Sequence, residues 1–250
     1  FLENNLVTVI RENLTGDGDS FMVTRTGNGR ASEGKMGVVS AAATCDDGLW
    51  VAGEKEPKDE LSSSEVEVRR VEPASDVVHT LPSVVGKRIE PVSAYCSGRN
   101  LVVLGTDWDS APSAEVLMNV DVRTGKSIVV KIVGHVPTAT KGLEDLTLEA
   151  VVLKGTDLYA VAQLTTDKSA RYQLVRIDVK TGESVKIANI KNKADISTHF
   201  RLSGDVLHVL DVTWHGPSQV RAIRLTDGVE VGSLELDWIE PKLNSRFTTE

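Results

Sequence analysis

Short apolar runs of four to six residues, rich in Val, Ile and Leu, alternate along this chain with clusters of Gly, Asn, Asp and Thr. Runs of that length, bounded by turn formers, predict strands rather than helices. The best-marked stretch runs 148–153, a turn over 154–157, 158–163, a polar loop, 172–179, the turn Lys180-Thr181-Gly182, then 185–190. That is four consecutive strands with short connections. Polar and apolar residues alternate over 171–178, which predicts a partly solvated third strand; the unbroken run Leu101-Val102-Val103-Leu104 predicts a strand covered on both faces. Inner strands are therefore expected to be buried and outer strands half wet.

The pattern repeats. One apolar pair recurs behind a polar turn at Asn4-Asn5-Leu6-Val7, Asp47-Gly48-Leu49-Trp50, Arg99-Asn100-Leu101-Val102, Thr156-Asp157-Leu158-Tyr159 and Asp205-Val206-Leu207-His208. Its leucines are 43, 52, 57 and 49 residues apart. A second turn keeps step with the first, since Gly27 and Gly228 lie 21 residues after their Leu, and Gly125 and Gly182 lie 24 after theirs. Four-stranded units of about 40 to 50 residues predict a β-propeller, whose blades cannot bury their faces alone and stack around a channel. The expected fold is all-β, a single propeller domain of about five four-stranded blades, with repeats near 1–35, 36–88, 89–142, 143–193 and 194–250.

The third-to-fourth-strand turns carry a family likeness. Val120-Asp121-Val122-Arg123-Thr124-Gly125-Lys126 and Ile177-Asp178-Val179-Lys180-Thr181-Gly182-Glu183 resemble the corresponding turn of bacterial propellers of the quinoprotein-like and YVTN-like type. The resemblance covers about three of the five units and implies structure rather than activity. Quinoprotein repeats carry a blade-docking Trp shortly after the Thr-Gly, and 126–130 and 183–187 have none. No cofactor is expected.

Both ends bear on closure. Phe1-Leu2 reads as the last two residues of an inner strand, so the first blade lacks most of its innermost strand. Ile239-Glu240-Pro241 repeats Ile89-Glu90-Pro91, which opens the inner strand of the third unit. By that register 241–250 is an inner strand without a blade of its own, and its pairing into the N-terminal blade would close the ring and remove two exposed edges. A larger ring with missing blades is the alternative, kept open by the weak fourth strand at 30–35.

The 250 residues are 40% hydrophobic and 26% charged, an ordinary globular balance that excludes disorder and collagen-like structure. A formal net charge of −8 argues against binding nucleic acid, which relies on Lys and Arg to neutralise phosphates. No window approaches eighteen uncharged apolar residues, so no membrane-spanning helix is expected. No basic-then-apolar leader is read in the sequence, and without an initial Met the expectation is a processed or excised segment. Cys45 and Cys96 fall four and five residues before Leu49 and Leu101, at the ends of adjacent inner strands. Two outcomes are open: a bridge between blades, implying an oxidising compartment, or two buried free thiols.

Candidate chemistry concentrates in loops. Those joining second to third strands are expected at 12–20, 54–64, 105–113, 164–170 and 213–218, on the face where propellers generally bind ligands. They carry Asp107, Trp108 and Asp109 in one unit and Trp214 and His215 in another. Exposed Trp beside acids suits a carbohydrate, a cationic group or a protein partner, whereas folded back it would simply cap the blade. Glu90, Glu144, Asp145, Asp195 and Glu240 lie near the starts of inner strands and would ring the channel mouth with negative charge. No calcium loop, nucleophile elbow, phosphate loop or zinc motif occurs, so no metal and no catalytic residue is assigned. Two functions follow. The first is a noncatalytic extracytoplasmic propeller binding a protein or cell-surface polymer through its loop face. The alternative is a hydrolase or lyase acting on glycans, with Asp107, Asp109, Glu144, Asp195 or Glu240 as acid and base. A scaffold component using its outer strands is a third reading.

Overall fold

A computed structural model of the chain describes residues 7–12, 20–25, 31–35, 38–46, 48–54, 66–71, 78–80, 89–107, 114–134, 145–166, 169–194, 197–214 and 216–236. They form strands and the turns between them. Among the described residues no helix is long and apolar enough to cross a membrane.

The described strands fall into five sheets. β1 (Val7–Glu12), β2 (Ser20–Arg25) and β3 (Ala31–Lys35) form the first, in that order. β4 (Val38–Cys45), β5 (Gly48–Glu54), β6 (Val66–Val71) and β7 (Val78–Thr80) follow. Then come β8 (Ile89–Ser97), β9 (Asn100–Asp107), β10 (Ala114–Asp121) and β11 (Ser127–Lys131). The fourth sheet holds β12 (Val133–Gly134), β13 (Asp145–Lys154), β14 (Asp157–Thr166), β15 (Ser169–Asp178) and β16 (Glu183–Ile190), ordered β12-β16-β15-β14-β13. β17 (Ser197–Ser203), β18 (Val206–Val212), β19 (Ser218–Arg224) and β20 (Glu230–Leu236) complete the fifth. Repeated up-and-down antiparallel sheets of this kind are propeller blades, and the chain is an all-β protein of that class. The expected closing strand at 241–250 lies outside the described residues.

Two compact units divide the chain. One comprises residues 1–138, 152–158 and 177–185; the other comprises 139–151, 159–176 and 186–250. In the first, Trp50, Val68, Leu101, Val103, Val116, Met118 and Val120 form a continuous apolar core, contributed by β5, β6, β9 and β10. Each such side chain, fully buried, is worth roughly 1.5–3 kcal/mol. In the second, Leu174, Leu207 and Val209 are fully buried, and the Tyr172 and Phe200 rings meet at 4.8 Å between centroids.

Second strands are the most buried. Leu101, Val102 and Val103 on β9 have no exposed surface, as the unbroken run predicts. Inner strands are wetter than expected. β8 is largely half-buried with Val92 55% exposed, and β17 alternates half-buried with exposed residues. Topology explains the inversion, since β8 and β17 are terminal strands of their sheets, whereas β9 and β18 have a hydrogen-bonded neighbour on either side. The inner strands are also bulged, with register shifts at Val39/Ala41 and Pro91/Ser93; the extra residues Ser40 and Val92 each lie nine before their repeat leucine.

The repeated Thr-Gly turns share one construction. The Asp121 carboxylate accepts from the backbone N–H groups of Arg123 (3.0 Å) and Thr124 (2.9 Å); Asp178 accepts from Lys180 (2.8 Å) and Thr181 (2.9 Å). Those backbone donors hold both carboxyls below the usual aspartate range. Gly125 and Gly182 then take left-handed conformations, at φ 70° and 75°. At Gly182 the turn also docks. Val133 donates its N–H to the Gly182 carbonyl at 3.0 Å, and Ser184 Oγ donates to the Val133 carbonyl at 2.6 Å. β12 thereby adds in parallel to the outer edge of β16.

Candidate functional site

Cys45 and Cys96 are joined by a disulfide, with Cα atoms 5.2 Å apart. Cys45 ends β4 and Cys96 lies near the end of β8, so the bridge ties the first strands of consecutive sheets, and Asp46 donates its N–H to the Gly98 carbonyl beside it at 3.3 Å. Of the two outcomes left open by the sequence, the bridge is the one observed.

At the opposite end of the third sheet stand the acids. Asp107 closes β9 rather than lying in a loop; it is fully buried, with Lys131 Nζ of β11 3.6 Å from its Oδ2. An acid so placed does not face solvent; its lysine partner, 47% exposed, reaches it from the outer strand. Glu90, half-buried on β8, pairs with Thr106, which pairs in turn with Glu115 on β10. Directly paired residues of antiparallel strands share a face, so two carboxylates flank one hydroxyl, with backbones ~10 Å apart across two strand spacings. Thr106 Oγ1 donates to Glu115 Oε1 at 3.5 Å. Burial pushes the Glu115 carboxyl up to about 7, and the threonine hydrogen bond offsets part of the rise. Glu115 was not among the sequence candidates. Its signal was a lone acid within the apolar run Ala114-Glu115-Val116-Leu117-Met118.

The fifth sheet presents the exposed aromatic. Trp214 is 58% exposed in the connection between β18 and β19. Thr213 Oγ1 donates to the Gly216 carbonyl at 2.7 Å and Ser218 Oγ accepts from the Thr213 N–H at 3.4 Å, so the turn under Trp214 is held from both sides. The segment that leads into β17 is held by the same sheet. Arg221 and Asp211, both buried, form an ion pair at 2.7 Å across β18 and β19. The pair anchors this segment, because Arg221 Nη2 donates to the Lys191 carbonyl at 2.7 Å and Asp211 Oδ1 accepts from the Lys193 N–H at 3.4 Å. Thr198 Oγ1 adds contacts to Asp211 (3.1 Å) and Asn192 (2.9 Å). Sequence reading passed over Asp211 and Arg221, which are charged residues within strands.

Asp145 is the first residue of β13. Trp108, Asp109, Glu144, Asp195, His215 and Glu240 lie outside the described residues. Among the described residues no cluster of three or more His, Cys, Asp or Glu side chains is arranged to hold a metal ion. His199, exposed on β17, has its Nε2 3.0 Å from Ser197 Oγ, an exposed pair two residues apart.

No protein-family model matches the chain, and no curated protein sequence matches it. Solved structures do. A prolyl endopeptidase matches with a TM-score of 0.56 at 14% identity, over 94% of this chain and 34% of that one. A Synechocystis apocarotenoid oxygenase matches with a TM-score of 0.53 at 8% identity, over 93% of this chain and 58% of that one. Both neighbours are β-propeller folds. At such identities the likeness is one of fold, and this chain spans only about a third of the endopeptidase and under two thirds of the oxygenase.

Proposed function

We propose that this chain is a noncatalytic, extracytoplasmic β-propeller that binds a protein or cell-surface polymer through the loop face carrying Trp214. The observation that carries the reading is a large aromatic left 58% exposed on a turn fixed by two side-chain hydrogen bonds. Ordering such a residue in advance lowers the cost of binding through it. The Cys45–Cys96 bridge favours an oxidising compartment. A single domain with repeats near 1–35, 36–88, 89–142, 143–193 and 194–250, of the quinoprotein-like or YVTN-like type, accords with the Asp121 and Asp178 turns. The excess of acidic over basic residues disfavours nucleic acid.

The test compares capture from the native cell envelope by the intact chain and by a variant carrying Trp108→Ala and Trp214→Ala. Capture lost by the variant at an unchanged urea midpoint supports the reading; capture retained refutes the assignment of the loop face.

A second reading, an enzyme acting on glycans, is favoured by one observation. Glu115, with its carboxyl pushed up to about 7, sits one strand from Thr106 and two from Glu90, as a proton donor paired with a second carboxylate would. Hydrolysis of envelope glycans that disappears in Glu115→Gln would establish it.

A further inference from the structure

We infer that the outer edge of β20 docks an extended strand of a partner protein, one that alternates apolar and basic residues. The surface is a different one from the loop that carries Trp214, and the inference does not depend on that loop.

The other outer edges among the described sheets are guarded. β7 has three residues, and β3 and β11 have five each and end in Lys35 and Lys131. Short edges and lysines discourage the addition of a further strand. β16, with eight residues, is covered by β12. β20 has seven residues and neither Lys nor Pro, and among the described strands only β19 is bonded to it. Its one irregularity, at Val231, leaves 232–236 in unbroken register with β19. Along such a stretch every second residue turns its N–H and C=O outward.

The fourth sheet shows how this kind of edge is filled. Lys131 stands against Gly182, and Ala188 against Gly228, so β11 meets the turn before β16 as β16 meets the turn before β20. Leaving β11, the chain adds to β16 as β12. Leaving β16, it is held on β18 and β19 instead: Arg221 Nη2 donates to the Lys191 carbonyl at 2.7 Å, and the Lys193 N–H donates to Asp211 at 3.4 Å. The equivalent segment therefore does not take on β20 the position that β12 takes on β16.

The side chains of β20 select the occupant. Residues 230–235 are all exposed, with Val231 at 52% and Leu234 at 62%. Directly paired residues of adjacent strands share a face, so Leu234 calls for an apolar neighbour, and Glu230 and Glu235 for basic ones. Three nearby bases are engaged elsewhere. Arg221, 3.8 Å from Glu230, is buried against Asp211; Arg224 pairs with Asp227; Lys193 Nζ lies 3.1 Å from Gln219 Oε1. A second copy of β20 would bring four glutamates and no base to one ladder, which disfavours pairing of the chain with itself.

Fluorescence anisotropy with the intact chain tests this using three labelled octapeptides: alternating valine and lysine, alternating valine and glutamate, and alternating proline and lysine. The first is expected to bind, more weakly as NaCl rises, and to slow hydrogen–deuterium exchange in β20; the other two are expected not to bind. Glu235→Lys should weaken the valine–lysine peptide about fivefold and admit the valine–glutamate peptide, Leu234→Lys should weaken it similarly, and Trp214→Ala should change nothing. All these side chains are exposed, so urea midpoints should match the parent chain. Absence of a β20 footprint, equal binding of the three peptides, indifference to both β20 variants, or loss of binding in Trp214→Ala would overturn the inference. So would slow exchange across β20 in the free chain, which would mean that the chain's own residues cover the edge, or a dimer abolished by Leu234→Lys, which would make a second copy the occupant.

Discussion

Replacing Gly182 by Ala should destabilise this protein far more than replacing Gly155, although both glycines sit in left-handed turns. Their φ angles are 75° and 61°. A Cβ in that conformation costs roughly 1–2 kcal/mol. At Gly155 this is the whole penalty, since an added Cβ would meet nothing within 4 Å. At Gly182 the Cβ would lie 2.1 Å from the Lys131 carbonyl oxygen, and a backbone atom cannot rotate aside. A carbon and an oxygen approach to about 3.3 Å at closest, so the facing strand must retreat by about 1 Å. That retreat sacrifices the Val133–Gly182 hydrogen bond and the Ser184–Val133 hydrogen bond, each worth about 1 kcal/mol net. The expected totals are about 3–4 kcal/mol for Gly182→Ala and roughly 1–2 kcal/mol for Gly155→Ala. Urea unfolding followed by fluorescence measures both as shifts in midpoint at constant slope. Gly228→Ala should behave like Gly182→Ala, because its Cβ would fall 2.3 Å from that of Ala188. Equal losses at Gly155 and Gly182 would refute the docking of the turn against the preceding strand.

Three further outcomes follow from the same geometry. Reducing the Cys45–Cys96 bridge, which spans 51 residues, should lower stability by up to about 4 kcal/mol through the freed entropy of the unfolded chain, read as a fall in urea midpoint with dithiothreitol. Glu115 binds its proton more tightly folded (to about 7) than unfolded (4.5), so the folded state carries more protons between those values and stability falls as pH rises through that window. The loss approaches about 3 kcal/mol, and Glu115→Gln should flatten the slope in urea titrations from pH 4 to 8. Arg221→Met strands the buried Asp211 carboxylate and should cost about 3–5 kcal/mol in thermal or urea unfolding; adding Asp211→Leu should recover most of it.

Strand and turn positions were legible because short apolar runs and turn formers act locally. Gly125, Gly182 and Gly228, read from their spacing as turn glycines, all adopt the left-handed conformation. The Cys45–Cys96 pair could be placed on neighbouring inner strands from repeat register alone, but bonding depends on an approach that register does not determine. Burial was misjudged on the inner strands, since apolar content does not reveal which strand ends a sheet. Asp107 looked like a loop residue because a polar stretch follows it, yet its pairing with Ala114 and Ile89 carries β9 three residues into the loop expected from 105. Lys131 was invisible as its partner, being 24 residues distant in sequence and two strands away. Glu115, Asp211 and Arg221 were overlooked for one shared reason: each is a charge within a strand, and its meaning depends on the strands alongside.

Hydrogen–deuterium exchange of the intact chain, free and bound to its partner or polymer, tests the loop-face claim most directly. The account predicts slowed exchange on binding in 213–218, with β9 protected equally in both states and β20 unchanged. A footprint confined to β20 and the other outer strands would contradict it and would favour a scaffold that associates edge to edge.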